Sequence, residues 1–596
     1  MAIVKNKITF GNIFEHSNAR YFNSTQLANE FVWTHSFEKL ISNKNHIILG
    51  SRGSGKTALI KMLSHECLSK LEHEKATEII NSRSFIATYI PLKVEWVNSI
   101  KEIEYDDHSF FKWCLNLSSC ARFIDTVKSC LSTYILDEIE RAYKEKEIAI
   151  ELSKLWLTAI YYTLSDIMQE LERIEYNKNI AFNKAKLGIA LTDEDKLIGI
   201  KFNSELFKPF SMATSVIKKI INIPSDATWC ICIDEAEFLT KEHHRILNSY
   251  MRSYNDIIFK ITTMPYRHYT LETTVGRPIN IGHDFEYVYI DKLGFNDDNQ
   301  SANQKFFESF AEKLFSKRIK GTYLDKDFVT LKKLLGESPL FDSNKEIDAD
   351  LLREHLDDAT LERAISLKNA NPDLYQSSIL RKVKGALILR EAFRKYKGNA
   401  SPSIYSGLSL AIRCSDGNPR RLLRLFNYLL SDKLQSQVLF DFISDKEQGR
   451  KIKDFSYSEL DSLNLEVDGK ETFELFNTVG KFFKDRLHTQ KIGTRIVSSF
   501  DFDLTETEWR HIERAVDLGL IYPEFGASEN DNKMPNRNGR FNFAYCLAPY
   551  FFLLPRKGAA IKLSTIINNK NFSQKRIPSD YSQVEQIDFD FGDDCE

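Results

Sequence analysis

The stretch HIILGSRGSGKTALIKML runs from His46 to Leu63. An apolar run is followed at once by a segment rich in glycine, with an arginine and a lysine, and apolar residues then return at helical spacing. That order reads as a buried strand at 47–49, a tight loop, and a helix over 58–70. Gly50, Ser51, Arg52, Gly53, Ser54, Gly55, Lys56 and Thr57 match the pattern G-x-x-x-x-G-K-S/T at every fixed position. Glycine lets a backbone curl until successive N–H groups point inward, at the oxygens of a phosphate. A helix beginning near Lys56 adds its positive end. In this pattern Lys56 bridges the β- and γ-phosphates, and Thr57 offers its hydroxyl to Mg²⁺. ATP and Mg²⁺ are the expected ligands.

A phosphate loop needs an acid to hold the metal and another to act on water. Ile231-Cys232-Ile233-Asp234-Glu235 supplies both at the end of an apolar run. Asp234 is expected to hold Mg²⁺, and Glu235 to polarise the attacking water. Glu237 is less well placed and reads as a surface charge.

The surrounding pattern alternates. FIATYIPL (85–92), TWCICIDEAEFL (Thr228–Leu239), IIFKITTMP (Ile257–Pro265) and FEYVYIDKL (Phe285–Leu293) read as further strands, the second ending in acids. Strands alternating with helices predict a parallel sheet covered on both faces. Residues 100–222 read as helical. Trp156, Ile160, Leu164, Ile167, Leu171 and Ile174 recur every three or four positions, which predicts one amphipathic face. Helices dominate again from 300 to 440, with a polar interruption near 336–350.

The chain has 596 residues, too many for one core, so several domains are expected. A formal charge of −2 argues against a protein that is basic overall. No apolar run is long enough to span a membrane, and the first residues carry no signal-peptide pattern. The nine cysteines form no C-x-x-C pair. Reduced thiols in a cytoplasmic protein are the expectation.

Four pieces in order, RGSGKT at 52–57, IDEAEFL at 233–239, ITTMPYR at 261–267 and DGNPRRLLRL at 416–425, resemble the AAA+ class of P-loop ATPases. More narrowly they resemble its origin-recognition-type branch and the related STAND-type signalling ATPases. The resemblance implies an α/β fold: a P-loop NTPase parallel-sheet core over 1–295, then a helical lid over 296–440. It implies a sensor-1 strand in which Thr262 or Thr263 reaches the γ-phosphate or its water, with Thr263 the catalytic assignment. It implies a sensor-2 lid helix in which Arg420 or Arg421 brings a fixed charge to the nucleotide, Arg421 catalytic and Arg420 binding. Arg267 reads as a γ-phosphate or intersubunit arginine, or as a surface one. The chain departs from the family between Thr57 and Asp234, which stand much farther apart than a compact core needs. Residues 100–222 are therefore read as a helical insertion, either a platform for a partner or a structural buttress.

Residues 465–562 read as a winged-helix-like module. A helix over 470–488 carries Phe473, Phe476, Val479 and Phe483 on one side. A second begins at a Thr–Glu capping box after Leu504 and stops at Gly519. Extended pieces at 520–525 and 541–547 flank a polar loop, with Lys533, Arg537 and Arg540 available to DNA phosphates. The acids Glu506, Glu508, Glu513 and Asp517 on that helix leave duplex DNA and a docked protein equally open. The remaining residues, 563–596, are polar and then acidic, and Gln586, Phe589 and Phe591 weakly resemble a sliding-clamp peptide. The sequence shows no HExxH, GxSxG or other effector chemistry.

The expected function is an ATP-hydrolysing AAA+ switch or motor associated with DNA, in replication, maintenance or defence against foreign DNA. The alternative is a STAND-like signalling ATPase whose nucleotide state controls assembly with a separate effector protein. A homo- or hetero-oligomer is expected, with no membrane partner.

Overall fold

The computed structural model describes residues 13–14, 18–98, 107–254, 256–291, 300–326, 329–342, 346–395, 403–436, 442–524 and 534–569. Five strands form one parallel sheet: β1 (His46–Leu49), β2 (Phe85–Pro91), β3 (Thr228–Asp234), β4 (Ile257–Thr263) and β5 (Glu286–Tyr289). They lie in the order β2-β3-β4-β1-β5. This order puts β4 between β1, which feeds the phosphate loop, and β3, which ends in Asp234. In an open parallel sheet, ligands bind beyond the carboxyl ends of the strands. Here the loop, the acids and the end of β4 all lie at that edge.

Both faces of the sheet are apolar because both are covered. Ile48, Ala87, Cys230 and Cys232 pack with Leu59, Ile60 and Leu63 beside the phosphate loop, and with Phe37 and Leu40. Ile47, Leu49, Ile86, Trp229, Ile231, Ile233 and Ile261 point the opposite way. They pack with Phe111, Phe123, Trp156, Phe210 and Ile217 of the inserted helices. These helices thus form the second covering layer of the sheet. Its main helices are Asp107–Tyr134, Glu138–Trp156, Leu164–Lys186 and Lys208–Ile220. The continuous face expected from Trp156 to Ile174 is broken. The helix ends at Trp156, Ile160 lies 44% exposed, and a new helix starts at Leu164 with Thr163 as its cap. The Thr163 hydroxyl accepts the Asp166 N–H, which stops the earlier helix from running through.

The helix expected over 58–70 is also divided, into Lys56–Met62 and His65–Leu68. All eight cysteines among the described residues are buried and free. None of the described helices is long and apolar enough to cross a membrane.

The lid and the C-terminal module share one continuous apolar core, with Phe426, Leu429, Phe455, Phe476, Val479, Phe483, Phe541 and Phe551 among its members. The module holds the helices Gly469–Thr489 and Glu506–Asp517 and a four-stranded sheet. Its strands are β6 (Val497–Asp501), β7 (Ile521–Pro523), β8 (Arg540–Phe543) and β9 (Ala559–Lys562), in the order β7-β8-β6-β9. β7 and β8 pair antiparallel, as a wing would. β6 and β9 were not legible in the sequence, and β9 joins β6 in parallel. At the start of Glu506–Asp517 the Thr505 hydroxyl bonds the Glu508 carboxylate rather than a backbone N–H. Gly519, at φ +67, ends that turn. Lys533 and the clamp-like residues Gln586, Phe589 and Phe591 lie outside the described residues.

Candidate functional site

The loop after β1 curls because Gly53 and Gly55 adopt φ of +83 and +95, a region that residues with a Cβ rarely enter. At Gly53 the freedom is also spatial: a Cβ there would meet the Cβ of Arg420 at 2.7 Å. Lys56 is buried and folds back on the loop, its Nζ donating to the carbonyls of Gly50 at 2.6 Å and Ser51 at 3.1 Å. The half-buried Asp291 carboxylate, beyond β5, accepts from the Ser51 N–H and hydroxyl. Burial pushes its carboxyl up, while Lys56 and Arg421 pull it back.

The acids of β3 are held from two neighbouring strands. Asp234 accepts from the Tyr89 hydroxyl at 2.9 Å and from the Thr262 hydroxyl. Burial, with the adjacent Asp234 carboxylate, pushes the Tyr89 phenol up. Glu235 sits at φ +66, and its N–H donates to the same Thr262 hydroxyl at 3.1 Å. Its carboxyl is raised by burial and by Asp234, against Arg20 and Lys56.

Two assignments change here. Thr263 does not line the cleft: its hydroxyl is buried without a hydrogen-bond partner among the described residues, and its carbonyl accepts from Gly50 N–H. The hydroxyl that meets the acids is that of Thr262, because adjacent strand residues face opposite sides. Arg421 does not line the cleft either. It is 3% exposed and bonds Glu459 at 2.7 Å, Asp416 at 2.9 Å, the Tyr522 hydroxyl at 3.1 Å and the carbonyls of Leu518 and Gly519. Its neighbour Arg420, turned about 100° around the helix, does line the cleft. Glu237 is likewise no surface charge: it lines the cleft with one carboxylate oxygen buried and unpartnered, and burial pushes its carboxyl up.

The cleft holds about 550 Å³. Its wall combines Gly53 to Thr57, Glu235 and Glu237 with the apolar Phe22, Leu27, Phe31, Phe310 and Leu314. Buried polar atoms without partners among the described residues belong to its wall: Ser54 Oγ, Glu237 Oε2, Arg318 Nε, Arg420 Nε and Asp517 Oδ1. Buried polar groups are normally bonded. A polar, anionic ligand with one apolar end fits this set. Lys56, Thr57 and Arg420 line the cleft, whereas Asp234 is 1% exposed and outside its wall, its carboxylate oxygens taken up by Tyr89 and Thr262.

Sequence reasoning did not find the C-terminal module in this site. Asp517 and Arg514 line the cleft. The Asp517 carbonyl accepts from the Arg52 N–H at 2.7 Å, and its carboxylate holds Arg267 at 2.6 Å. Glu513 lies 3.2 Å from Arg267, and Glu466 bonds the Arg52 guanidinium. Arg267 therefore serves a contact within the chain. A like signal was absent from the sequence, since Asp517 reads there as one acid on an amphipathic helix.

A parallel sheet with a glycine-curled phosphate loop after the interior strand β1, and an Asp-Glu pair at the next strand end but one, defines a P-loop nucleotide-binding protein of the AAA+ class. A family model for ORC-CDC6-like proteins matches residues 12–563. The chain belongs to that family, whose members are AAA+ ATPases of the origin-recognition type. Searches of curated proteins and of solved structures each gave no match.

Proposed function

We propose that the protein is a Mg²⁺-dependent ATPase whose nucleotide state sets the seat of its C-terminal module. One observation carries this: Asp517 of the module stands in the wall of the nucleotide cleft while its backbone clasps the phosphate loop at Arg52. An entering triphosphate brings negative charge against the Asp517 carboxylate and competes for Arg52 and Arg267, both held by module acids. ATP thus favours release of the module, and hydrolysis favours its return. Lys56 and Arg420 bind phosphate, Thr57 and Asp234 hold Mg²⁺, and Glu235 orients water, with Thr262 fixing the acid pair.

The released module would meet a partner, as part of a homo- or hetero-oligomer. Of the two candidates, duplex DNA and an effector protein, the wing favours the protein. Arg537 bonds Glu506 at 2.7 Å and lies over the Trp509 ring. Arg540 bonds Asp501 at 3.0 Å and lies 3.5 Å from Glu524. The acids beside these arginines offset the positive charge that a duplex's phosphates would select.

The test is hydrogen exchange on the full chain with Mg²⁺ and either ATP or ADP. The amides of Arg52, Tyr545 and Cys546, which bridge the module to the loop and the lid, should exchange faster with ATP. Lys56→Ala, which removes a charge-assisted contact worth about 2–3 kcal/mol, should lose the response together with ATP affinity. Calorimetry that finds no ATP binding by the parent chain, or a binding parent whose bridging amides ignore nucleotide, would overturn the proposal.

A further inference from the structure

An ion pair at the mouth of the cleft remains: Nη1 of Arg20 lies 2.9 Å from Oε2 of Glu235. Arg20 sits in the single turn Ala19–Tyr21, whose Asn18 cap accepts the Arg20 N–H. Lys61, on the helix that follows the phosphate loop, fastens this turn. Its Nζ donates to the carbonyls of Ala19 at 3.3 Å, Arg20 at 3.0 Å and Phe22 at 2.7 Å. Asn18, Ala19 and Phe22 line the same cleft as Glu235. One short segment therefore touches both the place where a nucleoside would lie and the acid that would act on water.

The geometry of Glu235 gives that contact weight. Its backbone occupies the left-handed region and is pinned by the Thr262 hydroxyl. The carboxylate's remaining freedom is in its side chain, and the guanidinium takes one of its two oxygens. A carboxylate bonded to a guanidinium is a poorer acceptor for a proton from water. The Arg20 side chain is 39% exposed, so the pair is weak enough to exchange, by about fivefold in population. Phosphate oxygens compete well for such a forked, permanently charged donor.

We infer that Arg20 is a positioning residue that holds Glu235 away from the attacking water in the nucleotide-free chain, and that a nucleotide seated against Asn18–Phe22 breaks this pair. The inference rests on the hydrolysis reading above. It joins contact of a ligand with Asn18, Ala19 and Phe22 to the readiness of Glu235 in the same cleft.

Two measurements on the full chain test it. In steady-state turnover of Mg²⁺-ATP, Arg20→Ala should raise kcat about fivefold with KM within about twofold, while Arg20→Lys stays near the parent. In nucleotide-free hydrogen exchange, the amides of Tyr21 and Phe22, bonded to Asn18 and Ala19, should exchange faster in both Arg20→Ala and Glu235→Gln. A kcat that is unchanged or lower in Arg20→Ala overturns the inference. So does a turn whose exchange ignores Glu235→Gln, since Lys61 alone would then hold it. If the parent binds ATP without turning it over, turnover gained in Arg20→Ala supports the inference and none overturns it. If the parent binds no ATP, the nucleotide reading fails, and the exchange measurement still decides whether Arg20 and Glu235 hold each other.

Discussion

Replacing Arg421 with methionine separates the two roles this residue could have. In the structure it is a buried junction, tying Asp416 and Glu459, which precede the C-terminal module, to Leu518, Gly519 and Tyr522 within it. Methionine keeps much of the volume but leaves the buried Asp416 carboxylate without its cation, while Glu459 keeps Arg424. Breaking a buried pair in this way costs about 3–5 kcal/mol. Burial pushes the Asp416 carboxyl up to about 6 even with Arg421 beside it, so in the variant Asp416 takes up a proton. The loss should therefore shrink as pH falls. The assay is hydrogen exchange at Tyr545 and Cys546, whose amides donate to Asp416. The expected loss corresponds to an increase of about 10²–10⁴-fold in opening at pH 8, at 1.36 kcal/mol per decade, and less at pH 5.5. ATP affinity should change little by comparison. If those amides exchange within about tenfold of the parent while ATP affinity collapses, Arg421 faces the nucleotide and the argument from burial is wrong.

Three further outcomes are expected. Glu235→Gln should retain ATP binding and slow turnover by about 10²–10⁴-fold; a parental rate, with the loss appearing in Glu237→Gln instead, would move the water-orienting role to Glu237. Alanine at both Arg537 and Arg540 should leave the salt dependence of any duplex DNA binding by the full chain unchanged, since acids already hold both; a slope shallower by about two phosphate units would restore the wing as a DNA contact. Burial lowers His65, His268 and His488 to about 4, and burial with Lys260 and Lys44 lowers His46 to about 3. Their unfolded forms titrate near 6.5, so between these values the unfolded chain binds more protons. This part of the stability is present above 6.5 and is lost as pH falls toward 4, at up to about 5 kcal/mol per pH unit for the four together. Urea midpoints that do not fall between pH 7 and pH 5, or histidine NMR signals that titrate normally in the folded chain, would contradict the assignment.

The features legible in the sequence are those decided by neighbours in the chain. Gly53 and Gly55 must turn left-handed wherever the loop sits, so residues 50–57 announce a phosphate cradle without any tertiary partner. The runs at 47–49, 85–92 and 228–234 announce strands because a sheet covered on both faces is apolar at every position. The same run left Asp234 and Glu235 at a strand end, where the structure has them. Other features depended on orientation over a single residue. Thr262 and Thr263 are chemically alike, yet alternate strand faces give one the acid pair and leave the other with a buried hydroxyl that has no partner among the described residues. Arg420 and Arg421 differ by about 100° on a helix, enough to put one in the cleft and the other in the junction beneath the module.

The sequence alone therefore determined the glycine-curled loop and the parallel sheet behind it, because these follow from backbone freedom and local periodicity. It could not determine that the insertion covers the sheet, that Arg20 reaches Glu235, or that Asp517 enters the cleft. Each is a meeting of segments far apart in the chain, between side chains whose types are common on any surface. Only the burial of one face against another selects those meetings, and that selection is made by the tertiary structure.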